Sequence, residues 1–187
     1  MSVPDGPRLR PWRPADAGTL VAAARDPDIR RWNLLYVASP AAARERIARM
    51  HDRWRRETGA IWAVARRTDD RPVGLVGFHD VDLADGSAEI LSWVLPEARG
   101  AGVVTAAVRR VGSRALDDLG LHRLRLCATR SPTRRPAGLA ERAGFALEGT
   151  LREALRHEDG RHDQHLHALL RGNMPPAGER TPPHTRP

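Results

Sequence analysis

The sequence predicts an α/β protein built on a mixed, mostly antiparallel sheet with helices packed against both faces. Three observations predict this class. Short apolar runs bounded by turn residues alternate with longer segments of helical periodicity. An apolar run at 88–95 leads through a glycine-rich turn into one of those helical segments, and Asp159-Gly160 separates two long strand-like runs, as in a β-hairpin. A chain of 187 residues can form a core of its own, and we expect a single domain over 8–171.

The N-terminal third is predicted to form an edge strand and three helices. The strand at 9–12 contains Pro11, which has no N–H for a sheet ladder, so this strand belongs at an edge. Each helix begins with proline at a first helical position, where the missing N–H costs nothing. The predicted helices cover 14–24, 27–32 and 40–58.

Three strands joined by short turns follow, at 61–66, 73–80 and 88–95. Short connections join antiparallel neighbours, so these strands are expected to form a meander. A helix at 103–119 then leads to a strand at 121–129, and the strands on either side of such a helical crossover are expected to be parallel.

The remaining chain is predicted to contain a helix at 133–143 and a hairpin of two strands, at 145–157 and 161–171. Residues 172–187 are rich in proline and poor in apolar side chains. That composition predicts a disordered tail.

The formal net charge is +8 at pH 7, and every basic residue is arginine. The arginines are spread among Asp and Glu residues and do not cluster beside aromatic side chains, so they predict a solvated basic surface and no nucleic-acid partner. Association with RNA or ribosomes is an alternative that rests on charge alone. No apolar run approaches the length needed to span a bilayer, so no membrane partner is expected.

Cys127 is the single cysteine, which excludes a disulfide framework and is compatible with a reducing cytoplasm. It falls in an apolar strand-like run. We therefore interpret it as a buried structural thiol and not as a nucleophile.

The turn after the strand at 88–95 reads Arg99-Gly100-Ala101-Gly102. A strand, a glycine turn and a helix start in this order direct free backbone N–H groups and the positive end of the helix dipole at one point, where an anion is expected to bind. Glycine also lets a phosphate approach the backbone without a Cβ in the way. A turn that only ends a strand and starts a helix would explain the same residues, and the flanking chain decides between the two.

This turn resembles motif A of the GNAT superfamily of acyl-CoA-dependent N-acyltransferases, in which R-G-x-G-x-(A/G) holds the pyrophosphate of coenzyme A. Further segments resemble the RimJ/RimL-like branch in order and spacing: LRPWRPADAGTLVAAARDPDIRRW at 9–32, LAERAGF at 139–145 and EGTLREALRHEDGRHDQHLHALL at 148–170. The resemblance extends over nearly the whole chain. It implies a GNAT-like sheet split by a V-shaped opening, with the first helices forming one wall of the acceptor groove.

The resemblance also implies a site for acetyl-CoA along the split strand and around the glycine turn. Glu89 would be the catalytic base, acting through a water, and Ser92, where the family carries tyrosine, is the other residue assigned to catalysis. A solvent-facing or salt-bridged carboxylate is the alternative for Glu89. The implied cofactor-binding residues are Trp93, Val94, Leu95, Arg99, Gly100, Ala101, Gly102, Val103, Val104, Thr105 and Thr133.

Two polar positions elsewhere have open interpretations. Asp163 matches an aspartate of the family's last strand and is a second candidate base, although a structural tie to Arg152 or another arginine is favoured. His79, late in a central strand, either faces the acceptor groove or is a structural histidine.

Four histidines near the end of the chain invite a metal interpretation. Strand alternation places His165 and His167 on one face with Asp163, but His162 on the other. At most a fragment of a tetrahedral site would then face one way, so we expect no metal and interpret the cluster, which includes His157, as hairpin surface.

Three positions depart from the family pattern. Val104 replaces a small residue of motif A, Ser92 replaces the tyrosine, and Thr133 to Pro136 replaces N-x-x-S. Thr133 can take over part of the asparagine's contact with pantetheine, but Pro136 has no hydroxyl with which to protonate a departing thiolate.

The prediction is a cytoplasmic acetyl-CoA-dependent N-acetyltransferase that acts on a primary amine of a small molecule or of a peptide or protein N-terminus. A homodimer is one assembly that such a fold allows. The alternative is a catalytically impaired or repurposed GNAT-like module that binds an acyl donor or another ligand.

Overall fold

A computed structural model describes residues 6–33, 35–129, 137–157 and 159–173. The strands are β1 (Arg8–Pro11), β2 (Gly59–Ala65), β3 (Pro72–Asp82), β4 (Ser87–Val94), β5 (Arg123–Thr129), β6 (Ala146–His157) and β7 (Gly160–Leu170). The helices are α1 (Ala17–Arg25), α2 (Pro27–Asn33), α3 (Pro40–Arg55), α4 (Val103–Ser113) and α5 (Ala137–Ala143). Thr133, Pro136 and the tail predicted at 174–187 lie outside the described residues.

The seven strands form one sheet in the order β1-β2-β3-β4-β5-β7-β6. Neighbours are antiparallel except β4 and β5, which are parallel and joined through α4. The predicted meander, parallel crossover and hairpin are confirmed, and β1 lies at an edge as Pro11 requires.

The sheet splits between β4 and β5, as the resemblance implied. These strands pair only over Ser87–Glu89 and Arg123–Arg125. Beyond that point β4 continues along β3, whereas β5 continues along β7 as far as Thr129. Past Glu89, the β5-facing edge of β4 has no strand partner in the described part of the chain. This gap is the V-shaped opening, with β4 as one arm and β5 as the other.

Helices cover both faces, as strand alternation predicted. On one face, α4 and α5 bury Ala88 and Ile90 of β4; on the other, α1, α2 and α3 bury Trp93. We call these the α4 face and the α1 face. Alternation along β4 therefore directs Glu89 toward the α1 face.

The N-terminal segment contains a buried ion pair. Arg10 of β1 contacts Asp16, in the 3₁₀ turn before α1, with Nη1 2.7 Å from Oδ2 and Nη2 3.0 Å from Oδ1. Both side chains are almost fully enclosed. The contact ties the edge strand to the first helix.

Some boundaries differ from the sequence-based expectations. The third helix ends at Arg55 and not at 58, and the helix predicted to end at 119 turns into a π-helical segment at Arg114–Asp118. No helix within the described ranges combines the length and hydrophobicity that crossing a bilayer requires.

Candidate active site

Glu89 lies at the apex of the V-shaped opening. In the sheet register it is opposite His79 of β3 on one side and Arg125 of β5 on the other. The pair formed by Glu89 and Arg125 is the last between β4 and β5 before the strands separate. The half-buried Glu89 is thus the acidic member of a row of three residues, His79, Glu89 and Arg125, where β4 and β5 separate.

A β-bulge beside Glu89 brings a second carboxylate close. The register between β3 and β4 shifts after His79, and Asp80 takes a left-handed φ of 49°. His79 Nδ1 lies 3.0 Å from Asp80 Oδ2. Bulges are common next to active sites because they redirect a side chain, and this one turns Asp80 toward the row.

Cys127 of β5 also reaches Glu89. Burial, followed by the charge of Glu89 and a hydrogen bond to it, raises the pKa of the Cys127 thiol to about 11. The thiol therefore stays protonated at neutral pH and can donate to the Glu89 carboxylate. Its neutral, half-buried state agrees with the structural role expected from the sequence.

The potential ligand atoms of His79, Asp80 and Glu89 lie within 4.8 Å of one another, close enough to hold a cation. Asp80 is largely exposed. The histidines of the hairpin form two separate pairs: His157 with His162 at 4.9 Å and His165 with His167 at 6.5 Å between ring centroids. The expectation that no metal is bound stays a prediction.

Ser92 lies on the opposite face of β4 from Glu89, because three positions separate the two in a strand with an even register here. It is half-buried toward the α4 face. The structure therefore does not bring together the two residues that were assigned to catalysis, and a role for Ser92 remains a prediction.

The glycine turn has the conformation that the sequence predicted. Gly100 and Gly102 have φ of 82° and 72°, and Gly102 is the left-handed N-cap of α4. No described atom lies within 4 Å of a Cβ built on either glycine, so the space over the turn is open. Since the N-cap Gly102 has no side chain to accept from the helix start, and the N–H groups of the first helical turn have no intrahelical acceptor, this turn is suited to an anion.

Val104 does not close the turn. Its half-buried side chain packs against the core on the α4 face. Trp93 and Leu95 are buried in the core on the α1 face, whereas Val94 is half-buried. The turn thus offers backbone groups and open space to an anion such as a pyrophosphate.

The Arg99 side chain has partners that sequence reasoning missed. Its Nη2 lies 2.6 Å from Asp26 Oδ1 and its Nη1 lies 3.4 Å from Asp28 Oδ2. The partner first considered, Glu97, instead lies 3.8 Å from Arg71. Asp26-Pro27 was recognised as a helix start, but local pattern carries no signal for a contact across more than seventy residues.

Helix α2 is held at one end beside β4 and at the other by the β6–β7 turn. Asp26 and Asp28 hold its beginning to Arg99, which follows β4. Toward its end, Arg31 pairs with Asp159 at the β6–β7 turn. Because β5 ends opposite Gln164 of β7, this turn projects beyond β5 at the open end of the V.

Asp163 contacts the backbone of β6, whereas the sequence favoured a tie to Arg152 or another arginine. Its Oδ1 accepts a hydrogen bond from the backbone N–H of Glu153, 2.9 Å away, where β6 bulges and Glu153 has φ of 53°. His162 also contacts Asp159, the partner of Arg31 at the end of α2, with His162 Nε2 2.9 Å from Asp159 Oδ1.

Comparison with known proteins agrees with this geometry. The sequence profile of the family described as "Acetyltransferase (GNAT) domain" matches residues 8–146. The chain is 29% identical over 143 residues to the Bacillus subtilis (strain 168) protein named "Putative ribosomal N-acetyltransferase YdaF", covering 75% of this chain and 77% of that protein.

Solved structures share the fold. A crystal structure of a probable acetyltransferase superposes with a TM-score of 0.80 at 26% identity, covering 91% of this chain and 96% of that one. Mycobacterium smegmatis RimJ, solved in complex with CoA-disulfide, superposes with a TM-score of 0.74 at 23% identity, covering 87% of this chain and 80% of that one.

Proposed function

Because this chain belongs to the GNAT acetyltransferase family, and is therefore an acetyl-CoA-dependent N-acetyltransferase, we propose that Glu89 is its catalytic base and that its acceptor is a primary amine. The observation that carries the proposal is the position of Glu89 at the last paired residue before the V opens. An acetyl donor lying in the V and an acceptor arriving over the α1 face would meet there.

The residues around the opening fit acetyl-CoA. The open space over Gly100 and Gly102 and the free N–H groups of the first turn of α4 suit the pyrophosphate. The unpaired edge of β4 from Ile90 to Val94 offers backbone groups to the pantetheine arm. Acetyl-CoA supplies an acyl group on a thioester, whose leaving thiol ionises far more readily than an alcohol.

The chain has three tasks in this chemistry. Glu89 accepts a proton from the acceptor ammonium or amine, through a water, so that a neutral nitrogen attacks the carbonyl carbon. A backbone N–H on the unpaired edge of β4 stabilises the negative oxygen that develops as the C–N bond forms. The C–S bond then breaks, and the thiolate is protonated by solvent or by a residue near the β5 end of the opening.

The choice of acceptor substrate is guided by similarity to known proteins and not by the geometry of the site. The Bacillus subtilis relative is named for ribosomal acetylation, which supports a protein N-terminus, while a small-molecule amine fits the same chemistry. A reducing, acetyl-CoA-containing compartment such as the cytoplasm suits the single unpaired cysteine. A homodimer stays a prediction, to be measured by analytical ultracentrifugation.

The test replaces Glu89 by glutamine, which keeps the shape and removes the base. We expect kcat to fall by about a hundredfold, with loss of the acidic limb of the pH–rate profile. Affinity for acetyl-CoA, measured by calorimetry, should stay close to wild type. Glu45→Gln, which removes an exposed carboxylate on α3, is the matched control.

An unchanged kcat and pH–rate profile in Glu89→Gln would refute the assignment of the base. A wild-type protein that binds acetyl-CoA but releases no coenzyme A thiol with any amine of a broad panel would instead favour a binding module.

A further inference from the structure

Arg99 lies between the glycine turn and helix α2. It immediately precedes Gly100, whose surroundings are open to a ligand. Its guanidinium is withdrawn from solvent, with the side chain 21% exposed, and is directed at the N-terminal end of α2. The residue is therefore placed to contact both a phosphate at the turn and the helix over the acceptor side.

The donors of Arg99 are unequally engaged. Nη2 makes a short contact of 2.6 Å with Asp26, whereas Nη1 is 3.4 Å from Asp28. Nε is buried and has no hydrogen-bond partner among the described residues. A buried donor without a partner is unfavourable, so the guanidinium retains donor capacity that an anion at the turn can use.

Asp26 contacts both Arg99 and the first turn of α2. The same oxygen, Oδ1, that accepts from Arg99 also accepts from the backbone N–H of Ile29 at 2.8 Å, as an N-cap of the helix. Asp26 is 11% exposed, and Ile29 is buried in the core on the α1 face. One carboxylate oxygen thus fixes the start of α2 relative to the glycine turn.

We propose that Arg99 and Asp26 couple the binding of acetyl-CoA to the position of α2, so that occupation of the glycine turn tightens the acceptor wall. Nε, which has no hydrogen-bond partner among the described residues, donates to the pyrophosphate while Nη2 keeps Asp26, because the planar, five-donor guanidinium can serve two anions at once. The proposal rests on the proposed function for the place of the pyrophosphate. Asp26 is a positioning residue, since it acts through Arg99 and the helix.

The coupling is expected to be positive, so that each ligand strengthens the binding of the other. A phosphate that fixes Arg99 also fixes its partner Asp26, and α2 is already held at its other end by Arg31 and Asp159. Because coupling between two ligands is reciprocal, an acceptor that binds beneath an ordered α2 binds more tightly once acetyl-CoA is present.

Hydrogen–deuterium exchange of the α2 amides, with and without saturating coenzyme A, tests the proposal. We expect coenzyme A to slow exchange in α2 by about threefold to tenfold in the wild-type protein. In Arg99→Gln and in Asp26→Asn this slowing should vanish. Asparagine caps a helix as well as aspartate does, so the second variant removes the charge and keeps the cap.

Arg71→Gln is the control, because Arg71 is an exposed arginine near the same turn whose charged neighbour is Glu97. It should retain the full slowing. Calorimetry establishes saturation for each variant, and exchange in the buried strand β3 confirms that each is folded.

Four results would overturn the proposal. Equal slowing in Arg99→Gln and wild type would show that the signal does not pass through Arg99. Faster exchange of α2 with coenzyme A would show that Arg99 abandons Asp26 for the phosphate. Folded wild-type protein that binds no coenzyme A would overturn the proposed function as well, whereas normal binding with an unchanged α2 overturns the coupling alone.

Discussion

Asparagine at position 16 would break the ion pair that joins the edge strand to the first helix. Asp16 accepts from Arg10 Nη1 at 2.7 Å, from Arg10 Nη2 at 3.0 Å and from the backbone N–H of Arg13 at 2.8 Å. The side chains of Arg10 and Asp16 are 6% and 9% exposed. Asp16→Asn would place an amide NH₂ or a neutral oxygen against a guanidinium that water cannot reach.

The magnitude follows from this burial. Removing one partner of a buried pair costs about 3–5 kcal/mol, because the other charge is left without compensation. Arg10 would keep part of its environment, since its Nε lies 3.2 Å from Asp70 Oδ1 and its Nη2 donates to the Asp70 carbonyl at 2.8 Å. The lower end of the range, about 3 kcal/mol, is therefore expected.

Urea unfolding followed by circular dichroism measures the change. A loss of about 3 kcal/mol corresponds to a fall in Tm of about 6–12 °C for a chain of this size. The control is Glu45→Gln, which breaks an exposed pair with Arg49 at 4.0 Å and should cost no more than about 0.5 kcal/mol. A loss below about 1 kcal/mol for Asp16→Asn would refute the argument that burial makes this pair strong.

Three further predictions concern single side chains. Burial lowers the pKa of His167, so the unfolded chain takes up its proton first; stability should fall as the pH drops below about 6.5, and His167→Gln should flatten that part of a Tm–pH curve. The Cys127 thiol, with a pKa of about 11, should react with iodoacetamide at pH 8 at least about a hundredfold more slowly than a free thiol; a rate near that of glutathione would contradict the burial. A Cβ at Gly77 would lie 2.4 Å from the Ala60 carbonyl oxygen, so Gly77→Ala should lower the free energy of unfolding by about 3 kcal/mol or more. Gly18→Ala, in open space on α1, should leave it unchanged or raise it by up to about 1 kcal/mol in the same urea titration.

Much of the architecture was already determined by local sequence. Proline at helix starts, glycine and Asp-Gly in turns, and the alternation of short and long apolar runs act within a few residues. They predicted the order of helices and strands, the parallel crossover through α4 and the glycine turn at Gly100 and Gly102. Glu89 could be predicted to be the catalytic base because its strand resembles the corresponding strand of GNAT proteins.

The contacts between distant segments were decided only by the tertiary structure. Local pattern could not show that Arg99 meets Asp26, because an arginine near a turn fits a phosphate, Glu97 or a distant carboxylate equally well. Nor could it show the bulge at Asp80, which depends on how β3 pairs with β4.

The physical reason is one of range. Periodicity and turn chemistry follow from backbone geometry over one or two turns of chain, so a sequence carries them directly. Which charged side chains form ion pairs depends on strand order, on strand register and on where α2 packs. Each of these is set by packing over the whole sheet. In this protein the sequence by itself determined where the glycine turn would form, and the tertiary structure decided that Arg99 beside it contacts Asp26 and Asp28 at the start of α2.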